Sequence, residues 1–419
     1  MEKKTNSNFR KFLLLWMGEF ISSIGGGLTS FGLGVYVFQK TGSATGMALV
    51  TLLGFLPTLL LSAPAGVLAD RYDRRLLMML GDGLSGLGVL YILICMLRGN
   101  AGLAEICIGV FISSVFSSLL EPAYRATVTD LLDEEEYSRA SGMVNIAGSA
   151  RYLLAPVIAG ALLTVRDIRL LLCIDIATFF LTVLSTGIVK RGLEAKKKEP
   201  AESFMESMKE GWKTVTQQRG IFVLIVISSI ITCFMGVVQV LCEPMILDLT
   251  KSAATLGTME TVCACGMLVS SVFLGIRGIK KNYVKILCMS LGIFGISMSC
   301  FGMTENILLI GISGFTFFAM LPFANNCLDY LVRTNIAADK QGRAWGLIGF
   351  ISQLGYVVAY GFSGMAADGF ASVMHTGAGQ GAAMVIKISG LLLAITAGVL
   401  YQIKSVRGLE NNEMQADME

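Results

Sequence analysis

The chain has 419 residues, of which 54% are apolar and 15% charged, where an ordinary soluble domain carries roughly 25% charged residues. A mean hydropathy of +0.68 excludes a soluble protein with a single anchor, since no one segment could raise the average so far. The net charge of +3 follows from basic loops and does not indicate a nucleic-acid partner.

Twelve long, mostly apolar runs recur along the chain, at 10–38, 45–68, 76–97, 103–124, 138–163, 169–189, 219–246, 254–276, 284–303, 306–332, 343–367 and 381–403. Lipid offers backbone groups no partner, so each span must be a helix or a strand of a closed barrel. Barrel strands alternate apolar and polar residues over about ten positions, and that pattern is absent. The expected fold is therefore an all-α integral membrane protein with twelve transmembrane helices. The start Met1-Glu2-Lys3-Lys4 leads into a run too long and uninterrupted for a cleaved signal, and it is expected to stay as a mature helix.

Loop charge sets the expected orientation. With the N-terminus in the cytoplasm, one side holds Lys3, Lys4, Arg10, Lys11, the arginines of 71–75, the clusters at 190–219 and 277–285, Lys404 and Arg407. The other side holds Lys40, Arg98, Arg166, Arg169 and Lys251. Both termini are thus expected inside. One long connection, 190–218, carries Lys196-Lys197-Lys198 and an amphipathic stretch around Phe204, Met208 and Trp212. It reads either as a helix on the inner membrane surface or as a solvated linker. The expected division is an N-terminal six-helix half (1–189), a cytoplasmic linker (190–218), a C-terminal half (219–405) and a cytoplasmic tail (406–419).

The halves look like copies. Ile21-Ser22-Ser23-Ile24 recurs as Ile227-Ser228-Ser229-Ile230, and Arg139-Ala140-Ser141-Gly142 as Arg343-Ala344-Trp345-Gly346, at offsets of 206 and 204 residues. Pro122 and Pro322 fall near the same offset, in the fourth and tenth spans. Cysteines such as Cys173, Cys233, Cys263, Cys265 and Cys288 lie inside apolar runs without ligand spacing, so they read as core residues, with no metal and no cofactor expected.

A charge at mid-bilayer costs at least about 2.5–3.5 kcal/mol and is normally kept for function. Glu19 lies about 12 Å along its helix from Lys11, and Arg151 sits at similar depth in the fifth span. Glu19 is expected to bind a proton or cation in a central cavity; a static Glu19–Arg151 pair is the alternative. Asp175 and Glu260 are candidate cation sites or partners for Arg151, and Asp82 a neighbour of the arginines at 71–75. Glu121 with Arg125, and Asp329 with Arg333, have the i,i+4 spacing of structural pairs. Lys387 is expected to snorkel outward. The single histidine, His375, falls in an outer loop, which leaves no histidine relay.

The stretch Gly66-Val67-Leu68-Ala69-Asp70-Arg71-Tyr72-Asp73-Arg74-Arg75 packs five charges between two apolar runs. It resembles the signature loop between helices two and three of major facilitator superfamily transporters, matched at Gly66, Leu68, Ala69, Asp70, Arg71, Arg74 and Arg75. Asp73 stands where the family usually has a glycine, a departure also found in its macrolide-efflux branch. Gly54-Phe55-Leu56-Pro57, Glu121-Pro122-Ala123-Tyr124-Arg125 and Arg139-Ala140-Ser141-Gly142 are similar to that branch, as they are to the related enterobactin-exporter-like proteins. The resemblance implies two parallel six-helix halves around a midplane site, with a loop that favours the outward-open state. Asp70 can accept hydrogen bonds from the N-terminal amides of a neighbouring helix, expected to be the eleventh, near Arg343. The plainer alternative is that the arginines only fix topology.

The family's helix-five antiporter pattern is met in part, by Gly142, Ala155, Pro156 and Gly160, with Arg151 where a glycine belongs. By the same resemblance the first, fourth, seventh and tenth helices line the cavity. They offer Trp16, Phe20, Phe31, Phe111, Phe116, Phe234, Met235, Phe315, Phe317 and Phe318, surfaces suited to bulky apolar ligands.

No Ser-His-Asp set, metal-ligand cluster or phosphate-cradling glycine loop points to an enzyme or an ATP-driven pump. The expected protein is a monomeric, multi-pass secondary transporter of a bacterial-type plasma membrane. It would export amphipathic drugs such as macrolides in exchange for protons, touching membrane lipids and no nucleic acid. A siderophore exporter or lysophospholipid flippase of the same fold is the alternative.

Overall fold

In the computed structural model, residues 2–99, 101–132, 134–190, 212, 216, 219–336 and 341–416 are described. For 2–7, 63, 70, 134–135, 137–138, 145, 190, 341–343, 346 and 411–416 this covers the backbone alone. Among the described residues there are fifteen helices: α1 (Glu2–Thr41), α2 (Ala44–Arg71), α3 (Arg74–Leu97), α4 (Leu103–Ser117), α5 (Leu120–Leu131), α6 (Glu134–Leu153), α7 (Ala155–Val165), α8 (Ile168–Lys190), α9 (Arg219–Thr250), α10 (Ala253–Arg277), α11 (Tyr283–Phe301), α12 (Ile307–Asn335), α13 (Gln341–Met374), α14 (Ala378–Gln402) and α15 (Lys404–Ala416).

Twelve spans are long and apolar enough to cross a membrane. Two are built from pairs of helices, α4 with α5 (Leu103–Leu131) and α6 with α7 (Arg139–Val165). Proline explains both breaks. Pro122 and Pro156 lack the amide that would bond the carbonyls of Ser118 and Tyr152 four residues back, and the helices part at 118–119 and at Leu154. The fourth span runs to Leu131, past the expected 124, and the apolar run of the second, expected to end at 68, meets Asp70 and Arg71 just beyond that point. Helix α2 nonetheless continues to Arg71.

The chain clusters into two compact units. The first comprises 1–41, 49–201 and 252–258; the second comprises 42–48, 202–251 and 259–419. In the first, Phe12, Leu15, Ala69, Leu77, Met78, Ala123, Tyr124, Leu131 and Ala140 form a buried cluster joining α1, α2, α3, α5 and α6. In the second, α11 crosses α14 at paired glycines. A Cβ on Gly295 would lie 2.5 Å from the Ala394 amide nitrogen and 2.6 Å from the Gly390 carbonyl oxygen, so only glycine admits this approach.

The repeated serines make the same bond in each unit: Ser23 Oγ donates to the Ala147 carbonyl at 2.9 Å and Ser229 Oγ to that of Ile351 at 2.8 Å. The segment after the last span, expected to be a tail, is helical over its described part. Val406 and Leu409 of α15 are buried, and its Glu410 accepts the Tyr283 amide at 2.9 Å. Asn335 donates to the Leu409 carbonyl at 3.2 Å.

Candidate functional site

The first unit brings most of the candidate charges together around a glycine run on α1 that sequence reading passed over. Gly25 lies against α8, where its Cβ would sit 2.9 Å from Asp175 Oδ1. Gly27 lies against α6 and α7, its Cβ 2.5 Å from that of Ala155 and 3.1 Å from Arg151 Cγ. Helices α8 and α6–α7 therefore approach α1 on two sides of Gly25-Gly26-Gly27, the kind of contact small residues permit in membranes.

Asp175 is 1% exposed and Asp82, on α3, 2% exposed. Glu19 Oε2, Asp82 Oδ2 and Asp175 Oδ1 are buried without a hydrogen-bond partner. Arg151 is within electrostatic range of Glu19 and Asp175, but among the described residues it forms an ion pair with neither. The static Glu19–Arg151 pair is not formed, because the Arg151 stem packs at Gly27, eight residues and about 12 Å beyond Glu19 along α1. Asp82 also departs from expectation. It stands in range of Glu19 and Asp175, since it lies two turns into α3 from the arginine-bearing loop.

In the signature loop, Arg74 is anchored. It donates to the carbonyls of Ala69 and Ala126 at 3.1 Å each and pairs with Asp130 at 2.6 Å. Arg75 is buried and Arg71 exposed, and a Cβ on Gly66 would meet nothing within 4 Å. Asp73 caps α3: with φ −61° and ψ 111° it accepts the Arg75 amide at 3.0 Å. That explains the missing family glycine, because the position needs no left-handed backbone and gains an N-cap. The side chain of Asp70, and that of Arg343, lie outside the described residues, so the expected Asp70 bond does too.

Several of the cavity-wall candidates are packed inside their own units. Phe317 is 0% exposed and packs edge-on against Phe294 and Phe301 at 5.6 Å each and stacks on Phe318 at 4.7 Å. It is core, because α12 turns this face toward α11. Met235 is 8% exposed, and in the first unit Phe31 is 4% exposed. Trp16 donates to the Met143 carbonyl at 2.6 Å with Phe20 beside it at 5.3 Å, so this pair joins α1 to α6. Phe234 is half-buried.

Glu260 on α10 is within electrostatic range of Glu243 on α9, whose Oε2 is buried without a partner. Glu243 was overlooked in the sequence because it adjoins Pro244 near the end of a long apolar run. The Glu121–Arg125 and Asp329–Arg333 pairs are formed, at 2.9 and 2.8 Å. Asp329 also lines a cavity of about 180 Å³ with Ser228, Asn325, Trp345 and Ile348. Trp345 Nε1 is buried there without a partner, and Arg333 lies 5.3 Å over the Trp345 ring.

Twelve apolar spans with buried carboxyl groups inside them define a helical multi-pass membrane protein. The chain belongs to the Major Facilitator Superfamily, whose sequence profile matches residues 15–360. It is 25% identical over 422 residues to macrolide efflux protein A of Streptococcus pyogenes, covering 98% of this chain and 100% of that one. To the enterobactin exporter EntS of Escherichia coli O1:K1 / APEC it is 23% identical over 348 residues, covering 82% and 81%. Among solved structures it resembles an inward-facing bacterial homologue of the iron transporter ferroportin, at TM-score 0.74, 15% identity and coverage of 94% and 99%. The nucleoside transporter NupG is similar at TM-score 0.74, 13% identity and coverage of 94% and 100%. The protein is thus a transporter of small substrates, not an enzyme, and a multi-pass protein of the bacterial cell membrane.

Proposed function

We propose that the chain exports amphipathic organic compounds, macrolides among them, by alternating access in exchange for protons, as a monomer with both termini in the cytoplasm. In this reading 1–189 and 219–405 are the halves that move, 190–218 is their cytoplasmic linker and 406–419 the cytoplasmic tail. The observation that carries it is the set of buried, partnerless oxygens on Glu19, Asp82 and Asp175. Burial and the charges that approach such groups set their protonation, and Arg151 is a cation in range of Glu19 and Asp175. Movement of the Arg151 stem relative to α1 would load and discharge the site. In the second unit Glu243 and Glu260 are buried carboxyl groups within range of each other, a pair whose protonation an approaching cationic substrate would change. The cavity at Trp345 adds an unpartnered indole donor beside the Asp329–Arg333 pair, a polar edge on an otherwise largely apolar lining that suits an amphipathic compound. Macrolide efflux protein A, which this chain matches along its whole length, supports the substrate class.

The similarity to EntS favours a second reading, export of a siderophore, with a lysophospholipid as the related lipid substrate. Proteoliposomes with an imposed pH gradient separate these. A macrolide or lipophilic cation should move only with the gradient and stop moving in Glu19→Gln. Transport of a catecholate siderophore or a lysophospholipid, with none of the drug panel, would establish the second reading.

A further inference from the structure

The junctions between the first two spans and between the seventh and eighth are copies: Thr41-Gly42-Ser43-Ala44 and Thr250-Lys251-Ser252-Ala253. Their second residues both have left-handed backbone, Gly42 at φ 63° and Lys251 at φ 54°. Each serine then caps its helix, Ser43 Oγ accepting the Gly46 amide and Ser252 Oγ the Thr255 amide, both at 3.2 Å. Each helix start also meets a glycine. A Cβ on Gly364 of α13 would lie 2.7 Å from the Ala44 carbonyl oxygen, and one on Gly160 of α7 2.6 Å from that of Ala253. Gly160 and Gly364 are 204 residues apart, the offset of the helix-five and helix-eleven repeat.

One turn further on the copies diverge. Thr164 only bonds back to its own helix, at the Ala161 carbonyl, whereas its counterpart Asp368 reaches the start of α2. Asp368 accepts the Ser43 hydroxyl at 2.6 Å, the Ala44 amide at 2.9 Å and the Thr45 amide at 3.0 Å. A carboxylate thus sits on the positive end of a 28-residue helix and satisfies two amides that have no partner within it. Residues 42–48 fall in the same compact unit as Asp368, although α2 belongs to the first sequence repeat and Asp368 to the second.

We infer that Asp368 is a releasable latch on the N-terminus of α2, at the end opposite the signature loop. Its closure buries Ala44 and Ala48 against Gly364, and its opening is a step of the transport cycle. This rests on the alternating-access reading above. The sequence reading expects Asp70, near the far end of α2, to hold the start of the eleventh span, and the two acidic residues would then act in opposite phases.

Ala48→Cys, 3% exposed as alanine, reports the latch through its labelling by a membrane-impermeant maleimide, with the unsubstituted chain giving the background of native cysteines. Intact cells and inverted vesicles are both labelled, so a wrong orientation changes which preparation reacts and leaves the comparison among variants intact. Loss of a helix cap of this kind should raise the labelling rate about threefold to tenfold in Asp368→Asn and less in Ser43→Ala, with the level of folded protein unchanged. Adding Asp70→Asn to Asp368→Asn should bring labelling back toward the parent. Unchanged labelling of Ala48→Cys in both Asp368→Asn and Ser43→Ala overturns the latch. Raised labelling in a protein that moves none of the tested substrates keeps the latch and removes the transport reading.

Discussion

Asp73 shows how one residue trades a family habit for a local bond. Glycine is usual at its position in the signature loop, yet Asp73 has an extended backbone and caps α3. Asp73→Ala should therefore lower stability by about 1 kcal/mol and Asp73→Gly by only a few tenths, measured by thermal unfolding in detergent. Phe317 makes the opposite case. Buried among Phe294, Phe301 and Phe318, it should cost about 3–5 kcal/mol as Phe317→Ala and leave the substrate range of the surviving protein unchanged. An altered substrate range at undiminished stability would return it to the cavity wall. These two residues mark what could be read in the sequence. The charges within spans stand out because lipid penalises them, so Glu19, Arg151, Asp175 and Glu260 were visible. Which aromatic faces a neighbour depends on helix rotation, and nearly uniform apolar spans carry no periodicity to fix it.

At the scale of elements, glycine and proline carry the information. The spans were legible within a few residues wherever a polar loop bounded them. The breaks at 118–119 and Leu154 were not read, although the prolines that cause them are in the sequence. Gly25-Gly26-Gly27 was also missed; its meaning appears only when α6–α7 and α8 close on it from two sides. The Gly295–Gly390 crossing predicts that Gly295→Leu sharply reduces folded protein in the membrane, since the atoms it would strike are backbone atoms of α14 that cannot rotate away. Met289→Leu, exposed on the same helix, should accumulate normally, and immunoblotting of membranes decides between them.

For the whole molecule, the internal copy is visible in paired tetrapeptides and in the Ser23 and Ser229 bonds that follow from them. The places where the copies differ are the informative ones. Glu19, Asp82, Asp175 and Arg151 gather in the first unit, Glu243 and Glu260 in the second, and Asp368 has no acidic counterpart at Thr164. Such asymmetry suits a carrier that binds a proton in one half and an amphipathic substrate with help from the other. Direct evidence would come from a pH-sensitive dye sealed inside proteoliposomes while a macrolide is added without any imposed gradient. The account predicts a substrate-induced proton flux in the unsubstituted chain, abolished in Glu19→Gln. Macrolide movement with no accompanying proton flux, or an undiminished flux in Glu19→Gln, would contradict it.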